Sequence, residues 1–267
     1  MKQRYDYRVL GRNFRVTNDT FVTGLNNNDI IIGGSGSGKT GGILYPSIKC
    51  AENESFVLID TKGLLSKRFS AELESKGYDV KIISFTNPDI GLGYNPLEYI
   101  RIKSDGSIRY QDIVYVSYLI MPTLDSTEPI WEECGRIIIQ FLIAFCLEKI
   151  DKSDWNMKTI LSLYHSLIKP EGISFFFDCL SDDMESFAAK KLLEISANKA
   201  ADKMYASVLG FVSVALAPFE YSEIQKILNN TECIDIHAIG KKKQAIFVHV
   251  SDVDRTYDTI INLCRRY

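Results

Sequence analysis

Positive charge is in short supply in this chain: 31 Lys and Arg stand against 34 Asp and Glu, a formal net charge of −3 over 267 residues. That balance excludes a protein that coats nucleic acid through bulk positive charge, so any contact with DNA has to be local. The two short basic clusters, Lys241-Lys242-Lys243 and Arg265-Arg266, read as a solvated turn and a chain end. Histidine is rare, and His165, His237 and His249 stand apart from Cys or acidic residues at metal-ligand spacing, which leaves them structural roles. The six cysteines, Cys50, Cys134, Cys146, Cys179, Cys233 and Cys264, form no C-x-x-C pair, so no zinc site is indicated and reduced core thiols of a cytosolic compartment are expected. Long apolar runs are missing as well. Ile137 to Leu147 is interrupted by Gln140 and bounded by Arg136 and Glu148, well short of the ~20 residues a bilayer needs. The N-terminus, Met1 to Asp6, has no signal-peptide apolar segment, and no transmembrane segment is expected. A composition of 46% hydrophobic and 24% charged residues excludes disorder and suits one large domain or a core carrying an inserted one.

What the chain does have is a complete phosphate-binding loop. Gly33-Gly34-Ser35-Gly36-Ser37-Gly38-Lys39-Thr40 follows the apolar, strand-like Asp29-Ile30-Ile31-Ile32. In this spacing the glycines let backbone N–H groups curl around phosphate oxygens, Lys39 reaches the β- and γ-phosphates, and the Thr40 hydroxyl can ligate Mg²⁺. A helix starting near Gly38 adds its positive end to the cradle. A flexible Gly/Ser linker is the plain alternative, but it would not carry Lys-Thr at the fixed offset between two strands. A nucleoside triphosphate and Mg²⁺ are the expected cofactors, with Lys39 and Thr40 as the catalytic pair. Pro46 lacks an N–H and predicts a short or kinked first helix.

Residues 7 to 25 read as short strands and turns, with alternation at Phe14-Arg15-Val16 and at Phe21-Val22. Ser55 to Asp60 is an apolar run ending in an acid, the pattern of a parallel strand buried on both faces. A helix over about Leu64 to Lys76 and a strand over Val80 to Phe85 follow. This alternation predicts a doubly wound α/β sheet with its ligand at the carboxyl ends of the strands. From Gln111 to about Leu228 the periodicity is almost wholly helical: Asp112 to Leu119, Trp131 to Lys149, Met157 to Leu167, Met184 to Ala197, Lys203 to Leu216 and Ser222 to Leu228. Strand character returns at Gln244 to Val250, and a helical pattern runs from Tyr257 to Cys264. The expected division is residues 1–110 as the N-terminal part of a nucleotide-binding domain, 111–230 as an all-α insert, and 231–267 as an incomplete return to the first domain. Four strong strands are fewer than such cores usually hold, and a truncated chain is expected.

Several blocks together resemble the type IV secretion coupling proteins, the ATPases that feed DNA into conjugative transfer machines. They are the loop Gly33 to Thr40, Asp60-Thr61-Lys62-Gly63 after the second strand, Tyr94-Asn95-Pro96-Leu97 after the third, Trp131 opening a long apolar helix, and Ala245-Ile246-Phe247-Val248 followed by Asp252. They span almost the whole chain from about residue 25. The resemblance implies a RecA-like phosphate-loop NTPase core with an inserted all-α subdomain. It also implies DNA, relaxase or mobilisation proteins and secretion-system components as partners, and a hexameric homo-oligomer when the protein is complete. The expected location is the cytoplasm, or the cytoplasmic face of the plasma membrane through partners or segments absent from this chain. Three departures stand out. Leu64 occupies the place of an acid that usually follows Lys-Gly, N-terminal membrane helices are absent, and the family's Asp-Glu pair would lie beyond Tyr267. By this resemblance the chain binds nucleotide better than it hydrolyses it.

Beside the resemblance, individual residues keep more than one reading. Asp60 either holds Mg²⁺ or its water, or caps the following helix and pairs with Lys62. Asp252 is a second Mg²⁺ candidate. Tyr94-Asn95-Pro96 fits a rigid turn better than a ligand site. Trp131 with Ile137, Phe141 and Phe145 fits helix packing, with base stacking by Trp131 as the minor alternative. Arg255, Arg265 and Arg266 are the candidates for an arginine donated across a subunit boundary. A nucleotide-gated recruitment module that does not hydrolyse is the competing function. A GTPase is disfavoured because Asn198-Lys199-Ala200-Ala201-Asp202 has the wrong spacing for a guanine reader, and no transporter signature is present.

Overall fold

The computed structural model describes residues 6–123, 129–199, 202–239, 241–251, 260, 261 and 263. Two compact units are distinguished, Met1–Ile82 with Asp235–His249, and Ile83–Ile234 with Val250–Tyr267.

The first unit begins with an antiparallel hairpin of β1 (Tyr7–Gly11) and β2 (Phe14–Thr17). Its turn places Asn13 at φ 65°, a left-handed conformation that Asn tolerates better than most residues. The strand expected at Phe21-Val22 is instead a helical turn, α1 (Thr20–Thr23), in which the Asp19 side chain accepts from Phe21 N at 2.9 Å. That local bond overrides the β preference of Phe and Val. Asp6 ties the hairpin to the chain ahead of the sheet. Its buried carboxylate accepts from the backbone of Glu52, Asn53 and Glu54. Burial alone would raise the Asp6 carboxyl, but these amides outweigh it and hold the group below the usual value.

Three strands form the sheet in the order β3 (Phe56–Asp60), β5 (Gln244–His249), β4 (Asp79–Ser84). β3 and β5 run parallel, with Phe56 opposite Ala245 and Asp60 opposite His249. The strand buried on both faces is therefore not β3, as the apolar run predicts, but β5. Every residue of β5 is buried, whereas Val57 on β3 is 48% exposed. Position explains the correction, because β5 has a neighbour on each side and β3 has one among the described residues. α2 (Tyr45–Cys50) and α3 (Leu64–Ser75) supply Ile48, Leu65, Phe69 and Leu73, which pack with Phe247 and Tyr78 into one apolar core.

Asp29 to Ile32 is the second correction. It is irregular backbone, not a strand, and Ile30 and Ile32 are 88% and 92% exposed. No described strand pairs with it, so its N–H and C=O groups have no ladder to join. The sheet of the described residues accordingly has three strands, not four.

The second unit is built on helices: α4 (Tyr110–Ile120), α5 (Ile130–Lys149), α6 (Met157–Leu167), α7 (Gly172–Cys179), α8 (Phe187–Lys199), α9 (Asp202–Leu216) and α10 (Ser222–Leu228). Residues 83–110, grouped with the nucleotide-binding part from sequence, belong here in the structure. Tyr94 N donates to Ile227 O at 3.1 Å, Gly93 N to Glu232 O at 2.8 Å, and the Tyr99 hydroxyl to Ile234 O at 2.7 Å. Tyr94-Asn95-Pro96 is a rigid turn: Asn95 Oδ1 accepts from Leu97 N at 3.1 Å while its Nδ2 donates to Trp155 O at 2.6 Å. α7 is an addition to the expected helices, since its run of three phenylalanines shows no helical period. Gly172 starts it because a Cβ there would lie 2.3 Å from Leu167 O. The stripe on α5 is core as expected at Phe141 and Phe145, whose rings meet Phe176 edge-on at 5.1 and 4.8 Å. Arg136 is fully buried yet satisfied, donating to Glu133 and to Met121 O at 2.8 Å with the Tyr118 ring 4.3 Å away. Among the described residues no single helix is long and apolar enough to cross a membrane.

Phe176→Ala removes the ring on which two α5 phenylalanines rest and is expected to cost about 3–5 kcal/mol. Urea unfolding followed by far-ultraviolet circular dichroism measures it; a loss below about 1 kcal/mol would contradict this packing.

Candidate nucleotide site

Backbone geometry bends Gly33 to Thr40 into an arch. Gly36 and Gly38 have φ of 76° and 81°, values glycine reaches without penalty. A Cβ on Gly33 would lie 2.5 Å from Ser37 Oγ and 3.3 Å from Ser37 Cβ, so glycine there lets the Ser37 side chain pack close against the start of the arch. Ser37 N donates to Gly34 O at 3.3 Å across the bend. Lys39 turns back over the arch and donates through Nζ to the carbonyls of Gly33 and, at 2.8 Å, Gly34. An ammonium has three donors, so one is left for a phosphate oxygen. Thr40 is exposed, with its hydroxyl free of any local bond described here.

The helix begins at Lys39, close to the expected Gly38, and Gly42 N donates to Gly38 O at 2.7 Å. Its first part, Thr40–Leu44, is a π-turn in which Tyr45 N reaches back to Thr40 O. α2 continues from there with Pro46 in its first turn. The proline explains the change of winding: it has no N–H to return to the preceding turn. The short, irregular first helix expected from Pro46 is what the structure contains.

Arg8 anchors the segment leading into the arch. Its Nε lies 2.6 Å from Asp29 Oδ2, and its Nη1 donates to Asn18 Oδ1 at 3.2 Å and to Asn27. An open, largely apolar cleft of about 450 Å³ runs along Lys39, Thr40, Ile43 and Ser47, with Arg8 and Ile31 opposite.

Asp60 is engaged as a helix cap. Oδ1 accepts from Leu64 N at 3.2 Å, and Oδ2 from Leu65 N at 2.8 Å and Ser66 N at 3.1 Å. The residue is 2% exposed, and Gly63 at φ 61° makes the turn into α3. His249, at the end of β5, joins this joint. Its Nε2 lies 2.8 Å from Ser66 Oγ and 3.7 Å from Asp60 Oδ2. The structural role expected of the histidines holds here, but the partner was not legible, since Ser66 and His249 stand 183 residues apart. The only hint was a polar residue closing an apolar strand. Lys62 lies in the exposed turn between Asp60 and Gly63. Asp252, Arg255, Arg265 and Arg266 lie outside the described residues. Among the described residues no cluster of His, Cys, Asp and Glu is suited to hold a metal ion.

A glycine arch closed by a lysine at the head of a helix, in a unit built on a parallel sheet, defines the class as a RecA-like α/β fold carrying a phosphate-binding loop. The chain belongs to the type IV secretory system conjugative DNA transfer family, whose model matches residues 3–264. Solved structures agree in fold. The plasmid coupling protein TrwB in complex with the non-hydrolysable ATP analogue ADPNP matches with a TM-score of 0.60 and 13% identity over 98% of this chain. The bacterial conjugative coupling protein TrwBdeltaN70, in its unbound monoclinic form, matches with a TM-score of 0.56 and 15% identity over 86% of this chain. The chain spans 60% and 48% of the lengths of those two. No curated protein sequence is significantly similar to it.

Burial holds the His249 imidazole below its ordinary value of 6.5, opposed by Asp60 and assisted by Lys67. A depressed folded value means the unfolded chain takes the proton first, so this contribution is full above 6.5 and is lost as the pH falls below it. Melting temperatures recorded from pH 7.5 to 5 are expected to fall more steeply in the parent chain than in His249→Asn. Parallel curves would show that His249 does not supply the dependence.

Proposed function

We propose that this chain is the nucleotide-binding and helical portion of an ATP-driven coupling protein that passes DNA, with its attached relaxase, to a type IV conjugative transfer channel. The observation that carries the reading is the arch itself, with two left-handed glycines, a close-contact glycine and Lys39 poised over it, in a chain of this family. In the TrwB complex an ATP analogue is bound. The amides of Gly34 to Thr40 would surround the β-phosphate, the free donor of Lys39 would meet the γ-phosphate, and the Thr40 hydroxyl would hold Mg²⁺. The residues fit those groups, because a Cβ at Gly33, Gly36 or Gly38 would close or strain the arch. Bound Mg²⁺ supplies neutralisation of charge on the β- and γ-oxygens.

In this reading Asp60 serves first as the cap of α3, whose amides bond both of its oxygens. Hydrolysis then draws on an acid elsewhere and on an arginine given by a neighbouring subunit, which is worth about 10³ to 10⁵ in rate. Assembly, as a hexamer by family likeness, is accordingly part of the mechanism. DNA, mobilisation proteins and channel components are the proposed partners, at the cytoplasmic face of the membrane. The capped Asp60 also favours a second reading, in which nucleotide gates substrate recruitment without turnover by this chain alone.

Titration calorimetry with magnesium-ATP separates this proposal from a merely structural loop. The parent chain is expected to bind, and Lys39→Ala to bind at least tenfold more weakly, a change of about 1.4 kcal/mol. Equal heats from the two proteins, or none from the parent, would overturn it.

A further inference from the structure

The second unit contains a polar cleft of about 640 Å³, remote in sequence from the phosphate loop. It lies where the loop 151–156 and the start of α6 face the end of α10 and the loop after it. Trp155 is half-buried on its wall, and its orientation is fixed because the indole Nε1 donates to Ile150 O at 3.0 Å. The Lys152 ammonium stands 6.0 Å from the centre of the Trp155 ring. Lys158, exposed on the first turn of α6, adds a second cation to the same rim. Asn156 accepts from Thr159 N at 3.0 Å and so caps α6 at the edge of the cleft.

We propose that this cleft takes one nucleotide unit of single-stranded DNA, with the base stacked on Trp155 and the adjoining phosphate held by Lys152 and Lys158. The inference rests on the DNA-transfer reading above and gives that reading a place of contact. Three features select this ligand. The cleft is roomy enough for a base with its sugar, the aromatic wall is sequence-tolerant, and the cations lie at its rim where a backbone would pass. Glu98 and Asp154 also line the cleft and balance the two lysines in charge. They suit the amino and imino donors of a base edge and keep the cleft from acting as a general anion trap. This is how a chain of net charge −3 can contact DNA locally. Trp131, the aromatic singled out from sequence, is not among the residues that line it.

The chain has two tryptophans, so Trp131→Phe leaves Trp155 as the sole indole reporter. In that background, titration of the whole chain with a fifteen-nucleotide oligo-dT is expected to quench Trp155 fluorescence. By anisotropy of a labelled oligonucleotide, Trp155→Ala should weaken binding about 5- to 100-fold, the range that corresponds to losing one stacked base. Trp155→Phe should restore most of it. Lys152→Glu with Lys158→Glu should lower the slope of log affinity against log salt by about 0.7, one single-strand phosphate contact. Lys39→Ala should leave the quenching intact while losing magnesium-ATP, so failure here and failure of the nucleotide reading are distinguishable. No quenching, equal affinity in Trp155→Ala with an unchanged circular dichroism spectrum, or equal quenching by an acidic peptide of matched charge would overturn the proposal.

Discussion

The Asp60 carboxylate is the joint on which the first unit turns. It ends β3, receives three amides from the first turn of α3, and lies against His249 at the end of β5, which Ser66 bonds in turn. One buried anion therefore fixes the ends of two parallel strands and the start of the helix that covers them. The amides offset its desolvation, which is why a 2% exposed carboxylate is tolerated there. Gly63 makes the turn into α3 at φ 61°, a left-handed conformation that glycine adopts without penalty.

What could be read from sequence divides by range. The arch from Gly33 to Thr40 was legible because eight consecutive residues encode it, and the irregular helix after it because Pro46 alone dictates that irregularity. The helices α4 to α6 and α8 to α10 were legible from period, and two of them, Met157–Leu167 and Ser222–Leu228, begin and end where the pattern does. α7 was not, because its apolar side chains are consecutive and its amphipathicity arises from which one, Phe176, meets α5. Sheet order was out of reach. The central strand is the one that returns after the whole helical region, and an apolar run states that a strand is buried without stating what lies beside it. The same limit hid the Ser66 and His249 pair, and it made Asp29 to Ile32 read as a strand when composition was the only guide.

Residues 83–110 show how a boundary follows hydrogen bonds and not rhythm. The β-α-β alternation carries through β4 and invites the grouping of everything up to Gln111 with the sheet. Yet the buried tyrosines of that stretch direct their hydroxyls to backbone carbonyls near the end of the helical region and beyond it, Tyr99 to Ile234 and Tyr94 to Leu263. A buried phenol needs an acceptor, and these two find theirs only in the second unit. The loop after β4 thus acts as a strap for the helices, and the rigid Asn95 turn is the buckle, holding Trp155 O in place beside the polar cleft.

The phosphate arch keeps its shape by short-range bonds alone, and this sets how the two halves of its chemistry depend on the rest of the molecule. Ser37 bonds Gly34, Lys39 bonds Gly33 and Gly34, and Arg8 holds Asp29 from the hairpin. None of these needs Asp29 to Ile32 to be a strand. Capture of a polyphosphate, which asks only for oriented amides and one ammonium, is therefore a local property of these residues. Turnover is different in kind, since it needs an acid and a cation placed to within a fraction of an ångström of the reacting phosphate. Such precision comes from rigid elements, and the exposed lead into the arch is not one. On the proposed function affinity and rate accordingly separate, with the first set by eight residues and the second by the surroundings that hold them.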